Sequence, residues 1–110
     1  LYLNRVGFIN LEVGYDVHIV GNRAYVSNND GLMIINVENP HFPIKIGELF
    51  EEGLLGFQVI DNIAYIASTS SGLIISNVSN PSNPQILGQN SVGGATRIAL
   101  AGSRAYVCYS

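Results

Sequence analysis

Gly21-Asn22-Arg23-Ala24-Tyr25-Val26 is written again as Asp61-Asn62-Ile63-Ala64-Tyr65-Ile66, and a third time as Gly102-Ser103-Arg104-Ala105-Tyr106-Val107. The three tyrosines stand 40 and 41 residues apart. A fixed period of this size means stacked supersecondary units, each of which buries its apolar faces against the next. Further echoes lie outward from these stretches. Gly31-Leu32 pairs with Gly72-Leu73, Val37-Glu38-Asn39-Pro40 with Val78-Ser79-Asn80-Pro81, Pro43 with Pro84, and Gly47 with Gly88. Val6-Gly7 precedes Ile46-Gly47 by forty residues, so the repetition is already under way there. The register slips once, by one residue, between Tyr65 and Gly72, in a loop where length change is tolerated.

Each repeat reads as four short strands. In the first, Tyr15–Val20 and Ala24–Asn28 flank Gly21-Asn22, a two-residue hairpin signal whose residue types suit positive φ. Leu32–Val37 follows; Asn39-Pro40-His41-Phe42-Pro43 then breaks the ladder, because proline lacks an N–H. Ile44–Phe50 completes the unit. The second repeat runs Leu55–Ile60, Ile63–Ser68, Gly72–Val78 and Gln85–Asn90, and the third supplies two strands. The expected division is 1–13 as the end of a preceding unit, 14–53 and 54–94 as complete units, and 95–110 as half of another.

Alternate residues of a strand point to opposite sides. Leu32 and Ile34 therefore face one way and Met33, Ile35 and Val37 the other. A strand apolar on both faces is covered on both faces. Four-stranded antiparallel sheets sandwiched between their own kind are β-propeller blades. A β-solenoid has shorter coils without the hairpin, and period-2 patterning excludes helical repeats. The expected fold is all-β, a β-propeller fragment built from repeats of about 41 residues.

The pattern Gly-Asn-x-Ala-Tyr-Val, Gly-Leu-x-Ile-Ile-x-Val-x-Asn-Pro, Pro-x-x-x-Gly resembles the LVIVD repeat, one of the propeller-type repeats of bacterial and archaeal surface proteins. The resemblance covers essentially the whole chain and implies an extracellular or cell-surface setting. Its motif consists of core and turn residues, so it says little about ligands. Asn36 and Asn77 stand where the family often has Asp. Tryptophan is absent, as are a Trp-Asp strand ending and paired glycines, so WD40 and kelch repeats fit less well.

A propeller closes with roughly 4–8 blades, and 110 residues supply about 2.7. The expectation is a piece of a longer protein, or of a ring completed by another copy. A 47% hydrophobic fraction is ample for β cores, while outer faces and unpaired edges invite further pairing. The net charge of −3 lacks the basic stripe that nucleic acid requires. No apolar run approaches the roughly 20 residues of a spanning helix. Cys108, the only cysteine, occupies the slot of Ser27 and Ala67 and is read as a small buried residue. Tyr25, Tyr65 and Tyr106 are read as plugs between neighbouring blades rather than ligand stackers.

Residues that break the repeat are the candidates for function. Asp16, Gly56 and Arg97 share one repeat position near the start of each innermost strand; His18, Gln58 and Ala99 share the position two residues on. Asp16, His18, Gln58 and Arg97 are therefore candidate ligand-binding groups bordering a central channel. Asn29, Asp30, Glu51 and Glu52 lie in loops at one end of the unit. Their oxygens suit Ca²⁺, but the regular Asp-x-Asp spacing is missing and turn chemistry accounts for them as well. No other cofactor is indicated. No Gly-x-Ser-x-Gly elbow and no phosphate loop is present. Asn77-Val78-Ser79 matches a glycosylation sequon but lies in a strand position of the repeat.

These readings favour a non-enzymatic scaffold or interaction module, binding a protein or small surface ligand through loops at one propeller end. The alternatives are an enzyme at the channel mouth using Asp16, His18 and Arg97, and a structural chain that assembles through open blade edges.

Overall fold

The computed structural model describes residues 7–8, 14–28, 30–90 and 94–109. Ten strands follow one another: β1 Gly14–Val20, β2 Arg23–Asn28, β3 Gly31–Asn36, β4 Ile44–Phe50, β5 Leu54–Ile60, β6 Ile63–Ser68, β7 Gly72–Asn77, β8 Gln85–Asn90, β9 Ala95–Ala101 and β10 Arg104–Tyr109. They form three antiparallel sheets in simple meander order, β1-β2-β3-β4, β5-β6-β7-β8 and β9-β10. These are propeller blades. The innermost strands are neighbours: β5 lies against β1 and β2 on one side and against β9 on the other. Strand limits differ from the sequence reading by about one residue, as element ends commonly do. Apart from Gly7 and Phe8, the segment 1–13 lies outside the described residues.

The turns explain the recurring motif. Gly21 and Gly102 have φ of 60°, while Asn22 and Ser103 stay at negative φ, the pattern of a type II′ turn with glycine first. Asp61 and Asn62 are both positive, at 50° and 63°, as a type I′ turn demands. The turn asparagine also has a structural task. The carbonyl of Asn22 accepts the Val37 N–H at 2.8 Å, and that of Asn62 accepts the Val78 N–H at 2.9 Å. Asn39 and Asn80 then open the proline turns, their carbonyls accepting the N–H groups of Phe42 and Asn83 at 3.0 Å each. The side chains of Asn36 and Asn77 accept the N–H two residues on, at 2.8 and 2.9 Å. A carboxylate would serve equally there, so Asn in place of Asp preserves the turn.

The main core lies between the first two blades. Tyr25, Leu32 and Ile34 project from the first and meet Leu54, Phe57, Ile66, Ile74 and Val78 of the second. Each large side chain so buried is worth about 1.5–3 kcal/mol. Met33 and Ile35 point the other way with Ala24, Val26 and Val37, as the alternation requires. A smaller cluster joins the second blade to the third through Ala67, Ala95 and Ile98.

Two expectations need correction. Cys108 is exposed, whereas Ser27 and Ala67 at the same repeat position are fully buried. Tyr106 is 56% exposed, whereas Tyr25 is 1% exposed. One reason serves both. β10 is an edge strand of a two-stranded sheet, and among the described residues no blade faces its side chains as the second blade faces those of β2.

Candidate functional site

The innermost strands share an irregularity that the sequence did not reveal. In β1 the pairing steps from Gly14↔Asn28 to Asp16↔Ser27, leaving Tyr15 as an extra residue. In β5 it steps from Leu54↔Ser68 to Gly56↔Ala67, leaving Leu55. In β9 it steps across Thr96, between Ala95↔Tyr109 and Arg97↔Cys108. A β-bulge bends its strand and re-aims neighbouring side chains. Repeated in three adjacent strands, it brings Tyr15, Asp16, Leu55 and Arg97 around one cavity of about 300 Å³.

The polar groups here are individually held. Asp16 accepts the Val17 N–H at 2.9 Å through Oδ1, and its Oδ2 lies 3.2 Å from His18 Nε2. The His18 ring rests on Phe57 of the next blade, with centroids 4.7 Å apart. Arg97 donates from one guanidinium nitrogen to the Thr96 carbonyl at 3.0 Å. Gln58 donates to the Ile98 carbonyl at 3.3 Å, a tie between the second and third blades. The structure thus brings Asp16, His18 and Arg97 to one region and engages the Gln58 amide in fastening blades. Gly56, at the repeat position of Asp16 and Arg97, is buried. A Cβ there would stand 3.0 Å from the Thr96 carbonyl oxygen and 3.2 Å from the Arg97 Cα.

The acidic loops occupy the same end. Asp30, Phe50, Glu51 and Glu52 line a second depression of about 320 Å³, and the Glu51 N–H donates to the Asp30 carbonyl at 2.9 Å. Asn29 lies outside the described residues. The Glu51 carboxylate accepts hydrogen bonds from the hydroxyls of Ser68 and Ser71, so it clamps the end of the first blade to a loop of the second. Asp30 and Glu52 are exposed. Among the described residues, no group of three or more His, Cys, Asp or Glu side chains is placed to hold a metal ion. Phe50, 71% exposed beside these acids, was not singled out in the sequence. It follows directly on Leu49, which packs against the core, and so points to the other side of the strand.

The β2–β3 turn preserves its chemistry through the change in loop length. Asn28 Oδ1 accepts the N–H groups of Asp30 and Gly31 at 2.9 and 3.0 Å. Ser68 Oγ, forty residues on, accepts those of Ser70 and Ser71 at 3.1 Å each.

A repeated four-stranded blade with a motif of turn and inter-blade residues defines the class: an all-β repeat module of propeller type. The LVIVD repeat profile matches residues 14–49 and 57–90, and the chain belongs to the LVIVD repeat family. No curated protein and no solved structure matches it.

Proposed function

We propose that the chain is a non-enzymatic interaction module of an extracellular or cell-surface protein, meeting its partner through the loops at the end where the innermost strands begin. The observation that carries this reading is the division of labour within the repeat. The turns at the opposite end recur with the same backbone bonds, whereas the loops at this end differ between copies in length and charge. Asp30, Phe50 and Glu52 form an exposed group with an aromatic ring amid acids, on a stiff sheet that costs little to order on binding. A basic or amphipathic protein surface has the matching chemistry. The slight negative charge of the whole chain agrees with such a partner.

The test is site-specific photo-crosslinking from position 50, compared with position 22 at the opposite end, in a surface extract of the source organism. The expected result is a discrete adduct from position 50 alone, abolished by combined Asp30→Ala and Glu52→Ala substitution. Equal labelling from both ends would overturn the reading.

A further inference from the structure

The cavity beneath the three bulges has a feature that packing does not demand. Asp16 and Arg97 line it together, carry opposite charge, and are not paired with each other. Among the described residues Arg97 enters no ion pair, and Asp16 pairs only with His18. Their repeat position reads Asp, Gly, Arg in successive blades. The glycine between them has no side chain, which lets the Arg97 backbone come up against β5. Two charges from blades that are not neighbours therefore share one concave space.

The geometry points to a binding site for a small zwitterion, a molecule carrying an ammonium group and a carboxylate on a short apolar frame. The guanidinium of Arg97 suits the carboxylate, because its planar fork matches two oxygens at once. The carboxylate of Asp16 suits the ammonium. Tyr15 adds an aromatic ring that attracts a cation, and Leu55 adds an apolar wall for the frame between the charges. A cavity of about 300 Å³ is at the lower limit of ligand sites, which favours a molecule of amino-acid size over a nucleotide or an oligosaccharide. Asp16 and Arg97 are already tethered, by the Val17 N–H and the Thr96 carbonyl, so less freedom is lost when a ligand arrives. The site is distinct from the loop surface around Phe50, and its variants leave that surface intact.

The experiment is an NMR titration of the 110-residue chain with a series of ω-amino acids: glycine, β-alanine, γ-aminobutyrate and the six-carbon homologue. Acetate and methylamine serve as single-charge controls. The expected result is saturable shifts at the amides of Asp16 and Arg97, with one chain length preferred and both controls weaker by roughly tenfold or more. Asp16→Asn and Arg97→Gln should each weaken the preferred zwitterion by roughly tenfold or more. Both side chains are exposed, so thermal melts of the variants should match the parent. Three results would each overturn the inference: no saturable shift with any zwitterion, acetate binding as well as the best zwitterion, or binding indifferent to both substitutions.

Discussion

Tyr25 and Tyr106 hold the same repeat position and differ in exposure from 1% to 56%. Phe57 and Val17 repeat the contrast on the opposite face, at 2% and 57%. In each pair the buried member lies between the first and second blades and the exposed one on an outer face. An apolar side chain in a repeat protein is thus half of a contact. Its neighbour, one period away, decides whether it is core or surface. The backbone obeys the same rule. A Cβ on Gly47 would overlap the Pro81 carbonyl, and one on Gly7 would overlap that of Pro40, whereas one on Gly88 would meet nothing. The glycine recurs because an Asn-Pro turn of the following repeat closes onto it.

The largest expected effect comes from the tyrosines. Tyr25→Ala should cost about 3–5 kcal/mol by denaturant unfolding, the usual loss for a buried aromatic. Tyr106→Ala should stay within about 0.5 kcal/mol, as exposed substitutions do. Equal losses at both sites would end the contrast between inner and outer faces. The glycines come next. Gly47→Ala should destabilise by about 3 kcal/mol, because the obstruction is backbone and cannot swing aside. Gly88→Ala should be nearly silent in the same denaturant titrations, and a matching drop there would show that the Gly47 penalty does not come from Pro81.

The arginines sharpen the comparison at smaller scale. Arg23 donates to the carbonyls of Val78 and Ser79 at 3.0 and 3.3 Å, tying the first blade to the second. Arg23→Ala should cost about 1–2 kcal/mol, and Arg104→Ala, at the exposed counterpart, close to nothing. A double-mutant comparison with Tyr25→Ala would show whether both act on one interface. The smallest effect is a gain. Ser27 Oγ is buried without a hydrogen-bond partner among the described residues, at a position where the next repeat has Ala67. Ser27→Ala should stabilise by about 1 kcal/mol, by removing a desolvated hydroxyl. A lowered melting temperature would mean that the hydroxyl is in fact satisfied.

Much of the candidate region was legible before the fold was known. Asp16 and Arg97 declared themselves because they break a repeat whose flanks are steady, and Asp30, Glu51 and Glu52 because they sit in loops at one end. What those side chains do was not legible. Glu51 is occupied with Ser68 and Ser71, and Gln58 with the Ile98 carbonyl. A side chain's partner lies one blade away, and its availability depends on where that blade's backbone carries its own donors and acceptors.

Local chemistry alone determined the strands, their hairpins and their order. Alternation sets the two faces, positive-φ turn residues set the hairpins, proline ends the ladder, and all of these act within a few residues along the chain. Only the tertiary structure decided which tyrosine is core, that Cys108 is exposed, and that Tyr15, Leu55 and Thr96 are bulged. A bulge is a count of two residues against one on the partner strand, and burial is a property of the facing sheet. Neither exists until separate stretches of chain have met.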